Sequence, residues 1–274
     1  SATWRANAMF EQYFGFSRSP FSRDLRPRDL LDLPGAKEMR SRLNYVASRR
    51  LFGVFTGSVG AGKTTIARWF VEELPQAKYK PLYLHDSELT PRNLYWECLN
   101  QLGVKPRFYR GDAKRQLNAL LIDMAEGQGK IPVVIIDEAH LLSHQMLEEI
   151  RFLTNFRMDS YSPMSLILIG QTELLSALAR PSLLAIAQRV NVRYHLPYFE
   201  PDETAQYILH HLKVAGVSAT LFTEEAVKVI HEATQGAARA IGSLCSCCLL
   251  HAMSIGARLV DDHAVKVVLE NEYR

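Results

Sequence analysis

The sequence predicts an α/β fold, in which a five-stranded, mostly parallel sheet with helices on both faces is followed by a helical subdomain. Three observations predict this fold. Short apolar, β-branched runs alternate with segments of helical periodicity as far as residue 196. A glycine-rich loop joins one of these runs to a helical segment. Beyond residues 197–201, which begin and end with proline, only helical periodicity remains.

The individual elements follow from these local patterns. We expect strands where apolar residues run together as in a strand buried on both faces, at residues 51–56, 80–85, 133–137, 166–170 and 190–196. Helical periodicity predicts helices at residues 36–50, 65–73, 90–102, 113–126 and 145–156, and short helices within 173–188. Four more helices are expected at residues 201–215, 223–234, 237–255 and 261–271, the second of them with Thr223 as its N-cap.

These patterns divide the chain into four segments. Residues 1–8, which precede Met9, resemble the remnant of a tag. Residues 9–50 begin with an aromatic-rich segment, interrupted by prolines, that we expect to wrap over the core before a first helix. Residues 51–198 hold the sheet domain, and residues 199–274 hold the helical lid.

Composition narrows the class of protein. With 47% hydrophobic and 22% charged residues the chain is globular, and its net charge of +3 is too small to attract nucleic acid without a local basic patch. No apolar run approaches the roughly 18 residues that cross a membrane, and no secretory signal opens the chain, so we expect a cytoplasmic protein without a membrane partner. Cys245 and Cys248 recur with apolar residues at helical spacing, which favours core positions over a metal site.

The glycine-rich loop has the pattern of a phosphate-binding P-loop. Its glycines let backbone N–H groups turn inward around a β-phosphate, while Lys63 supplies a positive charge and the Thr64 hydroxyl is a ligand for Mg²⁺. The strand before the loop and the helix after it distinguish the motif from an accidental match. The sequence therefore predicts ATP and Mg²⁺ as cofactors. The residues of the loop that are expected to bind the nucleotide are Gly57, Ser58, Val59, Gly60, Ala61, Gly62, Lys63, Thr64 and Thr65.

A pair of acidic residues predicts the second half of the same site. Asp137 and Glu138 end the β-branched run at residues 133–136, and open α/β sheets bind ligands at the carboxyl ends of their strands. We expect Asp137 to hold the Mg²⁺ shell and Glu138 to polarise the attacking water. Combined with the P-loop, these residues predict an enzyme that hydrolyses ATP.

Two other interpretations of the acidic motif are weaker. Residues 137–140 also match the signature of a helicase class, but such helicases need two RecA-like domains and an arginine-rich motif. Residues 188–193 imitate that motif only loosely, because its glycine is missing. His140 and His144 have the spacing of zinc ligands on a helix, yet no third ligand is evident, and we expect both on the helix surface.

The predicted architecture and its polar landmarks resemble the AAA+ ATPases, whose five-stranded parallel core carries a C-terminal helical lid. The resemblance implies that Gln171 is the sensor 1 residue that orients the attacking water, although many members have Asn or Thr there. It also implies that Arg239 is the sensor 2 residue, which contacts the γ-phosphate. The family places an arginine finger of one subunit at the ATP of the next, and we favour Arg189 over Arg180 and Arg193 for that role.

Several short motifs carry a narrower resemblance, which covers nearly everything after Met9. They lie at residues 9–16, 19–21, 57–65, 136–140, 153–156, 169–174 and 188–190. With these motifs the chain resembles the ExeA/GspA-type branch of the AAA+ ATPases. That branch groups ATPases of secretin assembly with the ATPase subunits of bacterial transposons, of the TnsC/IstB/MuB type.

The transposon side of this branch is favoured, because secretion members continue into a transmembrane helix and a peptidoglycan-binding part, whereas this chain stops at Arg274. The resemblance then implies a homo-oligomer, as a ring or a helical filament, on double-stranded DNA. Such a protein would regulate transposition by selecting target DNA and recruiting a transposase, with or without a target-selection adaptor. An ATPase module of secretin or type II secretion assembly, or another DNA-associated ATP switch, stays open as an alternative.

Residues 105–115 are the best candidates for DNA contact, because basic and aromatic residues are interleaved there. The transposon relatives bind backbone phosphates through basic residues, so the affinity would be salt-sensitive and weakly sequence-selective. A solvated basic loop is the simpler interpretation. A second cluster, at Arg18, Arg23, Arg26 and Arg28, would serve either DNA or a subunit interface. The predicted DNA contacts are Lys105, Arg107, Arg110, Lys114 and Arg115.

Overall fold

The computed structural model describes residues 9–22, 25–86, 88–154 and 161–272. The expected tag remnant at residues 1–8, Arg23 of the second basic cluster, and Asn155 and Phe156 of a quoted motif lie outside the described residues. The described chain forms two compact units. One is built on a sheet (residues 34–58 and 63–196), and the other is helical (residues 9–33, 59–62 and 197–272).

Five parallel strands form the centre of the sheet unit: β1 (Phe52–Gly57), β2 (Tyr79–Leu84), β3 (Ile131–Ile136), β4 (Ser165–Gly170) and β5 (Val192–Leu196). Their order across the sheet is β2-β3-β4-β1-β5, and every pair of neighbours is parallel, which confirms the predicted sheet. The three inner strands are buried along their whole length. This burial explains why their sequences are continuous apolar runs rather than alternating ones.

The two edge strands differ from the inner ones. β2 contains Pro81, which has no N–H group to donate. β5 has Arg193 and His195 exposed, and Arg42 Nη1 donates a hydrogen bond of 2.9 Å to the backbone carbonyl of Arg193. On β2 one backbone N–H group is therefore missing, and on β5 one backbone carbonyl is already bonded to a side chain.

The described residues of the sheet unit form seven α-helices: α1 (Pro34–Arg49), α2 (Lys63–Glu73), α3 (Pro91–Gln101), α4 (Arg110–Glu126), α5 (His144–Leu153), α6 (Glu173–Leu178) and α7 (Leu184–Ala187). α3 begins where Thr90 accepts a hydrogen bond from the Asn93 N–H and Pro91 occupies the first turn. Buried side chains of α3, α4 and α5 pack together with those of β3 and β4 in one core. α4 begins three residues earlier than predicted, so Arg110 and Asp112 lie in its first turn.

The helical unit has a core of its own, formed by α8 (Pro201–Val214), α9 (Glu224–Thr234), α10 (Ala238–Ser254) and α11 (Asp262–Glu272). Cys245 and Cys248 are fully buried in it, and Thr223 caps α9 through the Ala226 N–H, so both predictions are confirmed. No helix among the described residues is both long and apolar enough to cross a lipid bilayer.

The aromatic segment at the start of the chain belongs to this helical core. Phe10, Phe14 and Phe16 pack in mutual contact with ring centroids 5.4 to 5.5 Å apart, and all three are buried. The expected segment at residues 9–50 is thus divided between the two units, because these rings complete the helical core while α1 packs in the sheet unit. Arg18 of the second basic cluster is bound internally, to the Val214 carbonyl and to Asp29.

Candidate active site

Asp137 is the centre of the site. It follows β3 directly and is 1% exposed. Its Oδ2 atom accepts hydrogen bonds from the Thr64 hydroxyl at 2.9 Å and from the Tyr83 hydroxyl at 2.5 Å. A hydroxyl and a carboxylate that meet in this way are hard oxygen ligands of the kind that Mg²⁺ prefers. Thr64 and Asp137 therefore fit the predicted metal.

Lys63 is held at the start of α2 by its own loop. Its Nζ atom donates hydrogen bonds to the carbonyls of Gly57 at 2.8 Å and Ser58 at 3.0 Å. A Cβ atom on Gly57 would lie 3.0 Å from the Leu196 carbonyl oxygen and 3.3 Å from Lys63 Cδ, so a side chain there would require its neighbours to move. The ammonium group is placed where P-loops bind phosphate, at the N-terminus of a helix.

Arg239 lies beside a loop glycine within the helical unit. Its backbone N–H donates to the Gly60 carbonyl at 3.1 Å, and a Cβ atom on Gly60 would lie 3.2 Å from Arg239 Cβ. Gly60 has a φ of +77°, which favours glycine. The Arg239 side chain is exposed near the start of α10. Its contact with the γ-phosphate stays a prediction.

Glu138 has an unusual backbone conformation. Its φ of +52° lies in the left-handed region, which costs a non-glycine residue about 1–2 kcal/mol. The Glu138 N–H donates to Asp137 Oδ1 at 2.8 Å, and this hydrogen bond helps to hold the turn. Such strain is concentrated at functional sites in proteins, which agrees with the predicted role of Glu138. The side chain is 31% exposed, so water can reach the carboxylate.

His140 is not a helix-surface residue, and that expectation was wrong. It lies in the 3-10 turn Ala139–Leu141, and its side chain is 9% exposed. Its Nδ1 atom accepts a hydrogen bond of 3.3 Å from the Gln171 N–H, and its Nε2 atom lies 3.5 Å from Glu138 Oε2. His144 instead begins α5 and is 45% exposed, because the turn ends before that helix starts. The two histidines therefore do not share a helix face.

The three candidate arginine fingers differ in what they contact. Arg189 Nη1 donates to the Arg151 carbonyl at 3.1 Å and to Thr154 Oγ1 at 3.2 Å, at the end of α5. Arg193 Nη2 donates to the Ala187 carbonyl at 2.7 Å. Arg180 is exposed, and within the described ranges its side chain makes no hydrogen bond or ion pair. The favoured residue, Arg189, is thus engaged within its own subunit, and its action on a neighbour stays a prediction.

Two of the five predicted DNA contacts bind a buried carboxylate. Glu149 on α5 is 2% exposed and accepts hydrogen bonds from Arg110, from Lys114 at 3.0 Å and from the Tyr95 hydroxyl. Burial raises the pKa of Glu149, but the hydrogen bonds from Tyr95 and Lys114 and the two positive charges outweigh burial and leave that pKa below its usual value. Glu149 is therefore ionised and compensates the charges of Arg110 and Lys114.

The other basic residues of this segment lie on an exposed surface with aromatic side chains. Phe108 is 68% exposed and Tyr109 is 71% exposed. The Arg92 guanidinium stands 4.9 Å from the Phe108 ring centroid. Gln116 orders the loop, since it accepts from the Arg107 N–H at 3.0 Å and donates to the Lys105 carbonyl at 3.1 Å. We call this surface the cationic–aromatic face; its residues are Arg92, Lys105, Arg107, Phe108, Tyr109 and Arg115.

The structure predicts different outcomes for two neighbouring charge reversals. Lys114→Glu would place a second carboxylate against buried Glu149 and is expected to destabilise the protein by about 3 kcal/mol. Arg115→Glu is the matched control, because Arg115 is 77% exposed and its ion pair, with Asp112, lies on the surface. It is expected to change stability by less than about 1 kcal/mol. Urea denaturation followed by circular dichroism measures both, and equal losses would contradict the structural role of the Glu149 cluster.

Sequence reasoning missed three participants: Tyr83, the orientation of His140, and the Glu149 cluster. Burial and the hydrogen bond to Asp137 raise the pKa of Tyr83, so its hydroxyl stays protonated and donates. A signal for Tyr83 existed, because a tyrosine near the carboxyl end of β2 lies beside β3 in a parallel sheet. Tyr95 and Glu149 are 54 residues apart, and neither has a motif around it.

Comparison with known proteins agrees with this geometry. Residues 46–178 match a family described as "AAA domain". The General secretion pathway protein A of Aeromonas hydrophila is 33% identical over 259 residues, which cover 92% of this chain and 46% of that protein. This chain thus spans about half the length of that relative.

Solved structures share the fold. The ORC2 protein of Aeropyrum pernix superposes with a TM-score of 0.69 at 17% identity, over 92% of this chain and 71% of that one. Drosophila ORC bound to DNA superposes with a TM-score of 0.67 at 18% identity, over 96% of this chain and 65% of that one. The Holliday junction branch migration motor RuvB of Thermotoga maritima superposes with a TM-score of 0.53 at 16% identity, over 85% of this chain and 68% of that one. At these identities the likeness concerns the fold alone, and it confirms the predicted α/β core.

Proposed function

We propose that this chain, an AAA+ ATPase, assembles with ATP into a homo-oligomer on duplex DNA and regulates transposition in the cytoplasm. In this role it selects target DNA and recruits a transposase, with or without a target-selection adaptor. The candidate active site supports ATP hydrolysis as the energy source of this process. The cationic–aromatic face supports DNA as the partner, and transposition itself is inferred from the resemblance of the short motifs to the ExeA/GspA-type branch, which includes transposon ATPases.

The roles of the site residues follow from their contacts. Lys63 is placed to neutralise phosphate charge, and Thr64 and Asp137 are placed to hold Mg²⁺, which would offset the charge that develops during hydrolysis. Glu138 follows Asp137 on the same turn, with a carboxylate that water can reach, and we assign it the activation of that water. We assign the sensor 1 role to Gln171 and the sensor 2 role to Arg239. The arginine finger is assigned to Arg180, Arg189 or Arg193.

The cationic–aromatic face is the observation that carries the DNA assignment. Lys105 and Arg107 are exposed and, within the described part of the chain, their side chains make no hydrogen bond or ion pair. Cations of this kind bind backbone phosphates by releasing counterions, and exposed aromatic rings can pack on sugars or bases. Exposing Phe108 and Tyr109 costs hydrophobic free energy, which a partner surface would recover. A DNA-bound protein of the same fold, Drosophila ORC, is consistent with this assignment.

The identity to General secretion pathway protein A favours one alternative, in which this chain is an ATPase module of secretin or type II secretion assembly. In that case its partner is a protein, and the cationic–aromatic face contacts that protein instead of DNA. The neighbouring reading frames distinguish the two functions. An adjacent integrase-like transposase supports transposition, and a secretin operon supports secretion.

The direct test is ATP-dependent assembly on DNA. The full chain is titrated onto a labelled duplex of mixed sequence with a non-hydrolysable ATP analogue, with ADP, or without nucleotide, and binding is followed by fluorescence anisotropy. We expect tight binding only with the analogue, because only the assembled form would present a continuous row of cations. If six to ten phosphates are contacted, the affinity should fall by about 10³ to 10⁵ between 50 and 200 mM salt.

Electron microscopy of the same samples checks the assembly. Rings or filaments on DNA with the analogue, and dispersed protein with ADP, are expected. Nucleotide-dependent oligomers that do not bind duplex DNA at low salt would contradict the transposition function and favour the secretion alternative.

A further inference from the structure

His140 occupies a position between two parts of the active site. Its imidazole ring lies between the Glu138 carboxylate and the backbone at the end of β4, where Gln171 begins. The space for the ring is provided by Gly170. A Cβ atom on that glycine would lie 3.0 Å from the His140 backbone nitrogen and 3.4 Å from its Nδ1 atom.

The contacts of the ring determine which nitrogen carries the proton. The Gln171 backbone N–H can only donate, so the Nδ1 atom that it contacts must accept and carries no proton. The proton of the neutral ring then lies on Nε2, which is 3.5 Å from Glu138 Oε2. The ring therefore points an N–H group at the carboxylate, at a distance that a small movement shortens to a hydrogen bond.

Glu138 needs such a partner. Its backbone is fixed by the left-handed turn and by the hydrogen bond to Asp137, but these contacts leave the side-chain torsions open. Within the described residues, His140 is the one side chain with a polar contact to the Glu138 carboxylate. A base that must meet a water molecule within about 0.5 Å gains rate from a fixed orientation.

We propose that His140 is a positioning residue, which aims the Glu138 carboxylate through Nε2–H and ties its orientation to the end of β4 through Nδ1. A displacement of Gln171 would then move the ring and the carboxylate together. The contacts form one series, in which Thr64, Asp137, Glu138, His140 and Gln171 follow each other. This inference rests on the assignment of Glu138 as the residue that activates water, which belongs to the proposed function.

Two substitutions separate the two contacts of the ring. His140→Gln retains an N–H donor at about the reach of Nε2, whereas His140→Asn retains an acceptor near Nδ1 and has no group that reaches Glu138. We expect His140→Asn to lower kcat by about 10- to 100-fold with the KM for ATP changed less than twofold. His140→Gln should recover kcat to within a few fold of the natural protein.

The experiment measures steady-state phosphate release, binding of a fluorescent ATP analogue and the melting midpoint for both variants, with Glu138→Gln assayed in parallel. A purely structural His140 would lower the midpoint and disturb both kcat and KM in the Asn and Gln variants alike, which would overturn the proposal. Wild-type kcat in His140→Asn beside an inactive Glu138→Gln would overturn this inference alone. An active Glu138→Gln would overturn the assignment of Glu138 and, with it, this inference.

Discussion

Replacing Glu138 by Gln is expected to abolish ATP hydrolysis while the protein still binds ATP. The amide keeps the size of the side chain but cannot accept a proton from water, and loss of a general base lowers kcat by about 10² to 10⁴. The ground-state contacts to the phosphates that we assign to Lys63, Thr64 and the loop are not changed by this substitution. The ATP-loaded, assembled form should therefore accumulate. Phosphate release and binding of a fluorescent ATP analogue measure the two effects separately.

Two controls make this result specific. Glu148→Gln removes a carboxylate of the same kind on α5, where the side chain is 52% exposed and lies 3.6 Å from His144, and it should leave turnover unchanged. Lys63→Ala should instead weaken nucleotide binding itself, because it removes the charge that the loop holds in place. Turnover that survives in Glu138→Gln would show that another group activates the water.

Reversing Lys105 and Arg107 to Glu is expected to remove most DNA binding. Each cation that contacts phosphate contributes about one unit to the salt slope, and each assembled subunit carries both changes. The loss should be similar on unrelated DNA sequences, because backbone contacts carry no sequence information. Anisotropy titrations with the ATP analogue at several salt concentrations measure the affinity and the slope.

The choice of these two positions follows from the Glu149 cluster. Reversal of Arg110 or Lys114 would mix any loss of DNA contact with loss of stability, whereas Lys105 and Arg107 stand outside that cluster. Lys37→Glu with Lys228→Glu is the matched control, since both lysines are exposed and the double change alters the net charge equally. Equal losses of affinity in the two double variants would mean that net charge, and not the cationic–aromatic face, decides binding.

The sequence predicted the fold well because its strongest signals are local. The strands are short runs rich in apolar residues between helical segments, so all five were located to within two residues at each end, and their parallel direction followed from the helices between them. The P-loop and Asp137 could be predicted because their chemistry requires fixed residues at fixed spacing, and in the structure Thr64 Oγ1 lies 2.9 Å from Asp137 Oδ2.

The missed features depend on contacts between distant segments. Periodicity placed His140 on a helix surface, but a 3-10 turn places its ring against the end of β4, 31 residues further along the chain. In the same way, charge composition predicted DNA contacts at Arg110 and Lys114 without indicating that Glu149, 39 and 35 residues away, already binds them. Nothing in the aromatic segment at the start of the chain indicated that it would pack in the helical unit rather than in the sheet unit.

The edges of the sheet have a consequence for how copies of this chain can associate. Exposed strand edges are templates on which further strands add, in aggregates as well as in ordered oligomers. Here Pro81 removes a donor from β2, and the Arg42 guanidinium occupies the Arg193 carbonyl on β5. Both edges are thereby protected against a sheet that continues from one molecule into the next. The assembly that we propose, which would form and dissociate with the nucleotide state, would then have to use side-chain surfaces rather than strand pairing.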